Sequence, residues 1–221
     1  MIQISASLLA ADFARLGEEI TRAELAGVDS FHFDMMDGHY VPNLALTPQH
    51  LKALRMYTSL PFHVHLELEN PDRILEQFNP LGAELVIVQW DTLKNPLKTF
   101  DLIRSQGVKV GLSINPMDSL ETASQLMPEL DMFLILGVQP GFGGQTMSTS
   151  TSTRISKIRA MADTLEKNVT IAVDGGVNFQ NIPALLQSGA DCLIMGTSIF
   201  QAKSLPDFIL SIRKGIQVLP G

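Results

Sequence analysis

The chain has 221 residues, 45% of them hydrophobic, enough for one well-packed core. Its net charge of −7, with 16 scattered basic residues and no basic run, argues against a nucleic-acid partner, whose phosphates need clustered Lys and Arg. A lone cysteine, Cys192, excludes an intrachain disulfide, and no run of about 18 apolar residues offers a membrane span.

The opening Met1-Ile2-Gln3-Ile4 runs straight into Ser5-Ala6-Ser7 without a basic leader, so no secretory signal is expected. With the single cysteine this suggests a reducing, cytoplasmic setting. Short apolar runs then alternate with longer amphipathic segments. The spacing predicts strands over 3–9, 30–35, 62–66, 85–89, 109–114, 132–138, 170–173 and 192–195, with helices between them. Phe13, Leu16, Ile20 and Ala23 form a helical stripe, with Asp12 as its cap and Gly27 as its end. Asn70-Pro71-Asp72 and Asn115-Pro116 carry turn chemistry after strands. The Ser/Thr-rich stretch 146–154 reads as a loop entering a helix, and Cys192 as a small buried hydrophobe. Phe208, Ile209, Ile212 and Ile216 make a C-terminal stripe.

Eight strands, each followed by a helix, is the count for a (β/α)8 TIM barrel formed by a single domain over residues 1–221. An open doubly wound sheet is the rival, and eight evenly placed units favour closure. In such a barrel the chemistry gathers at the C-terminal ends of strands. His32 and Asp34 share one face at the second strand's end, because strand side chains alternate with period two. His65 ends the third strand and Asp174 the seventh. Two imidazoles and two carboxylates suit one divalent metal ion, Zn²⁺ first, with Mn²⁺ or Fe²⁺ also able to use the set.

A second signal is a series of glycine-rich turns. Pro140-Gly141-Phe142-Gly143-Gly144-Gln145 follows the sixth strand, Asp174-Gly175-Gly176 the seventh, and Gly196-Thr197-Ser198 the eighth. Glycines let backbone N–H groups approach an anion, and a following helix N-terminus would add to the attraction. Three such turns at neighbouring strand ends predict a phosphate site. No Walker loop or dinucleotide fingerprint is present, so nucleotide binding is not expected.

With these residues in view, the chain resembles the ribulose-phosphate 3-epimerase family from Ile4-Ser5-Ala6-Ser7 to about Phe200. The resemblance is carried by Met36-Asp37-Gly38-His39-Tyr40-Val41-Pro42-Asn43, by 140–145 and by 173–178. It implies a cytoplasmic barrel, a homo-oligomer, and a small sugar-phosphate substrate. It also implies that His32, Asp34, His65 and Asp174 bind the metal, with Asp34 and Asp174 the catalytic acid–base pair. Ser7, His65, Gly141 and Phe142 would contact substrate, while Gly143, Gly144, Gly175, Gly176, Gly196 and Thr197 would surround its phosphate end.

The resemblance is not complete. Glu67 stands where the family has Met, Leu136-Gly137 where Met-Ser or Met-Thr is common, and Gln89 where His is usual. Gln139 and His63 also depart from the usual pattern. Met36, Glu67, Gln89 and Leu136 are therefore the candidate specificity residues. By alternation Glu67 shares a face with His63 and His65, where it would either reach the site and meet a sugar hydroxyl or turn to solvent. D-ribulose 5-phosphate, giving D-xylulose 5-phosphate, is the simplest substrate, and a ketohexose 6-phosphate such as allulose 6-phosphate the alternative. A barrel decarboxylase would carry Lys where this chain has Met36, and an inactive sugar-phosphate-binding regulator would have a broken acid–base pair.

Overall fold

The computed structural model describes residues 2–78 and 81–217; for Gln77, Ile216 and Gln217 it describes the backbone alone. Eight parallel strands close into a barrel in chain order: β1 (Gln3–Ser7), β2 (Ser30–Met36), β3 (Phe62–Glu67), β4 (Ala83–Gln89), β5 (Lys109–Ile114), β6 (Met132–Leu136), β7 (Thr170–Asp174) and β8 (Cys192–Met195). The helices are α1 (Leu16–Ala26), α2 (Pro48–Leu54), α3 (Pro96–Ser105), α4 (Leu120–Ser124), α5 (Thr151–Thr164), α6 (Ile182–Gln187), α7 (Thr197–Phe200) and α8 (Leu205–Gln217). Closure removes both sheet edges, which the rival open sheet would have kept.

Alternation along the strands sorts side chains into two layers. Ile4 and Ala6, Phe31 and Phe33, Val64 and Leu66, and their counterparts face outward and join the main core with the helices. Burial of a phenylalanine such as Phe33 contributes about 2–3 kcal/mol. The inward layer is uneven. On β4 and β6–β8 it is apolar apart from Gln89 and Asp174 at the ends of β4 and β7, with Leu85, Ile87, Leu134, Leu136, Ala172, Cys192 and Ile194 forming a second cluster. On β1–β3 it is polar: Ser5, Ser7, Ser30, His32, Asp34, His63, His65 and Glu67 are all buried. Ser30 Oγ donates to Ser5 Oγ at 2.8 Å within this polar half. Register then sets neighbours: Ser7 pairs with His32, Asp34 with His65, Met36 with Glu67, and Leu136 with Asp174.

Several expected elements differ. No α-helix follows β3 among the described residues; two 3-10 turns, Pro71–Arg73 and Leu75–Gln77, take its place. The connection from Glu67 to Ala83 is the shortest between two strands, and Pro71 opens a 3-10 turn there and not an α-helix. β1 stops at Ser7, with Leu8–Ala10 turning into a 3-10 helix, and β6 stops at Leu136. Phe13 lies outside α1 and is 47% exposed, because Asp12 caps a separate 3-10 turn, Phe13–Arg15, through Ala14 N–H. Leu16, Ile20 and Ala23 are buried as expected, and Gly27 ends α1 at φ +95°. Ile209 and Ile212 are buried on α8; the side chain of Ile216 lies outside the described residues. Cys192 is wholly buried inside the barrel, and burial pushes its thiol up to about 12.

Candidate active site

The C-terminal strand ends open into a cavity of about 220 Å³. Ser7, Asp34, Glu67, Leu136 and Asp174 line its inner part, and the turns after β6, β7 and β8 line the rest. His32 and His65 sit beneath it, both fully buried. One ligand atom from each of His32, Asp34, His65 and Asp174 falls within 4.8 Å of the others. His32 Nε2 lies 3.1 Å from Asp34 Oδ1 and 3.9 Å from Asp174 Oδ2, while His65 Nδ1 lies 3.3 Å from Asp34 Oδ1. Ser7 Oγ donates to the other Asp34 oxygen at 2.9 Å, which fixes the carboxylate plane. β2 and β7, which carry the two aspartates, are three strands apart around the barrel.

Charge within this group is divided unevenly. Burial opposes ionisation of Asp34, but the His32 and His65 imidazoles outweigh it and hold the carboxyl well below the usual range. Burial and then the neighbouring Asp34 charge push Asp174 up to about 7. Burial would lower His32, yet Asp34 raises it, whereas His65 is lowered mainly by burial. Glu67 is 3% exposed, not turned to solvent, and is raised well above the ordinary range by burial and by Asp34 and Asp174.

A divalent metal ion fits these residues. His32 Nε2 points into the group without a hydrogen-bond partner, an orphaned buried nitrogen that would otherwise be costly. Among the described residues the cavity lining includes Asp34, Glu67 and Asp174 but no Lys or Arg to offset the carboxylates. Nothing in the donor set separates Zn²⁺ from Mn²⁺ or Fe²⁺.

The outer part of the cavity is built from loop backbone. Gln145 Nε2 donates to Gln139 O and Phe142 O, both at 2.8 Å, and so closes the turn after β6 on itself. Asn43 Nδ2, from the loop after β2, donates to Gly141 O at 2.7 Å and tethers that turn. Gly141 has φ +111°, and a Cβ there would meet Val41 Cβ at 3.0 Å. Gly176 has φ +73°, and its Cβ would strike Met147 N at 2.7 Å, so the turns after β6 and β7 pack only because a side chain is missing. Thr197 Oγ1 comes within 4.0 Å of where a Gly144 Cβ would stand, completing a concave, glycine-lined surface suited to an anion. The helix contribution expected from the sequence is small. α5 and α6 begin well past their turns, and only four-residue α7 starts at the cradle.

Ser7, Asp34, Asp174, Leu136, Glu67 and every glycine and threonine expected around the phosphate line this one cavity, together with Phe142 at its mouth. Met36 and Gln89 are buried but do not line it. Gln89 Nε2 instead donates to Asn115 Oδ1 at 3.3 Å, joining a bracket in which Tyr40 O–H donates to Asp91 at 2.9 Å and Asn115 Nδ2 donates to Tyr40 Oη at 3.0 Å. Sequence reasoning missed that bracket, whose members lie far apart in the chain, and also Leu9 and Ala10. The position of Leu9 and Ala10 directly after β1 was the available signal, since βα loops build this face.

The fold and the site together define a (β/α)8-barrel protein with a candidate metal centre beside an anion cradle. The family model described as "Ribulose-phosphate 3 epimerase family" matches residues 3–200, and the chain belongs to that family. The ribulose-phosphate 3-epimerase of Bacillus subtilis (strain 168) is 38% identical, with 96% of this chain and 99% of that protein covered. The ribulose-phosphate 3-epimerase of Escherichia coli (strain K12) is 39% identical, with 93% and 90% covered. Among solved structures, KGPDC from Streptococcus mutans superposes with a TM-score of 0.76 at 10% identity, over 100% of both chains. Orotidine 5'-phosphate decarboxylase from Pyrococcus horikoshii OT3 gives 0.69 at 15%, over 97% of this chain and 99% of that one. At those identities the likeness is one of fold alone. No described helix is long and apolar enough to cross a membrane.

Proposed function

We infer that the protein is a ribulose-phosphate 3-epimerase that interconverts D-ribulose 5-phosphate and D-xylulose 5-phosphate. The observation that carries this reading is the convergence of Asp34 and Asp174 on one cavity whose far end is the glycine-lined cradle. Family membership supports the same activity.

Inverting C3 beside a ketone requires a proton to leave one face and another to arrive at the opposite face. Asp34 and Asp174 reach the cavity from separate walls, so one is placed to accept the C3 proton while the other delivers one. Ser7 orients Asp34 for this work. The cradle holds the phosphate and thereby positions C3 between the carboxyl groups. His32, Asp34, His65 and Asp174 would hold the divalent ion, for which we propose Zn²⁺. That ion would supply stabilisation of the negative charge that develops on the ketone oxygen.

The test is wash-in of solvent deuterium at C3 of D-ribulose 5-phosphate. Exchange that is lost with a chelator and restored by added Zn²⁺ is expected. Absence of exchange in metal-supplied protein would overturn the reading, whereas exchange on a ketohexose 6-phosphate alone would move it to the longer sugar.

A further inference from the structure

Glu67 is the buried carboxyl group left over once the metal centre and the acid–base pair are assigned. It ends β3 two residues after His65 and is paired in register with Met36. It stands outside the set of four residues whose ligand atoms share one point. Its Oε1 lies 3.7 Å from His65 Nδ1, and the backbone N–H of Gly141 lies beside the carboxyl group. Its Oε2 is fully buried and has no hydrogen-bond partner, although the side chain lines the cavity. A buried carboxyl oxygen without a donor is costly, and such a position is retained most simply when a ligand brings the donor.

The place of that oxygen identifies the donor. Glu67 is at the join between the metal centre, which it meets at His65, and the cradle, which it meets at Gly141. A pentulose 5-phosphate lying across the cavity has its C2 and C3 oxygens at the centre and its C5 phosphate in the cradle. The hydroxyl between those ends is the one on C4. We propose that Glu67 is a specificity-determining residue that accepts a hydrogen bond from the C4 hydroxyl of the substrate. This assignment rests on the epimerase reading of the same cavity. It makes the site selective for ketose phosphates that carry a free hydroxyl between the reacting carbon and the phosphate-bearing end.

The experiment is a two-by-two comparison. Wild type and Glu67→Leu are assayed for C3 deuterium exchange on D-ribulose 5-phosphate and on its 4-deoxy analogue, with the 1-deoxy analogue as control. Removing the C4 hydroxyl should slow the wild type by about five- to tenfold, the upper part of the range for a hydrogen bond to an uncharged group. The same removal should cost Glu67→Leu less than about twofold. The 1-deoxy penalty should be equal in both proteins, and Glu67→Gln, which keeps an acceptor, should recover part of the discrimination. Metal affinity measured by competition with a chelator should be the same in all three proteins. Equal 4-deoxy penalties in wild type and Glu67→Leu would overturn the assignment, as would a wild type indifferent to the C4 hydroxyl. A fall in metal affinity parallel to activity would also overturn it, by moving Glu67 to the metal centre. A wild type that exchanges none of these compounds would end the epimerase reading and this one together, an outcome separate from the others.

Discussion

At the scale of the residue, Asp34 and Asp174 carry the same functional group in different surroundings. Asp34 has two imidazoles and the Ser7 hydroxyl around it, whereas Asp174 has Asp34 and the more distant His32 for neighbours and accepts the adjacent Gly175 N–H. Asp174→Asn keeps the size of the side chain but removes its basicity. Deuterium exchange at C3 should fall by at least about 100-fold, while inorganic phosphate still competes for the cradle; retained exchange would exclude Asp174 as acid or base. His32, Asp34, His65 and Asp174 were legible because each is a polar residue set in an apolar strand, where it is conspicuous, although β2 and β3 run on past His32 and His65. Glu67 was half legible. Alternation placed it on the inward face, but whether its side chain bends to solvent depends on the Gly141 turn above it, about 70 positions on in a chain whose register alone cannot reveal that contact.

At the scale of the element, the loop after β2 shows how one carboxylate organises a turn. Asp37 Oδ1 accepts from His39 N–H at 2.9 Å and Tyr40 N–H at 3.0 Å, while Oδ2 accepts from Glu69 N–H at 3.0 Å in the loop after β3. Burial opposes its charge, but the three N–H groups win and lower its pKa. A carboxyl group with a folded pKa below its unfolded one adds stability above the unfolded value, and that contribution is lost as pH falls through the folded value. Asp37→Asn puts an N–H2 where an acceptor is needed and should cost about 1 kcal/mol at pH 7. Urea unfolding at pH 7 and at about pH 2.5, below the ordinary carboxylate value, should show the gap between wild type and variant narrowing at the lower pH. A constant gap would mean that charge is not the cause. Strand positions were readable from short apolar runs, with ends displaced by a residue or two. The β3–β4 connection was not, because a helix was expected from the rhythm of the other units while this span is the shortest between two strands.

At the scale of the whole molecule, closure and the division of the barrel interior into a polar and an apolar half were only partly foreseeable. The count of strands favoured a barrel, but the concentration of inward polar groups on β1–β3 depends on which face each strand turns inward. The glycine turns were recognisable singly, whereas their mutual packing needs the closed ring that brings β6, β7 and β8 side by side. One consequence concerns the order of events. His32 and His65 lie under the cavity floor with no surface of their own, so an ion held there sits below whatever occupies the space above. An ion held there would load before the sugar phosphate, and the occupant of the cavity would act as a stopper. The rate at which a chelator strips the ion should fall as sugar phosphate approaches saturation, even though the chelator's own affinity is unchanged. An unaltered stripping rate would point to a separate path out, and the barrel would have lost its role as a one-way well.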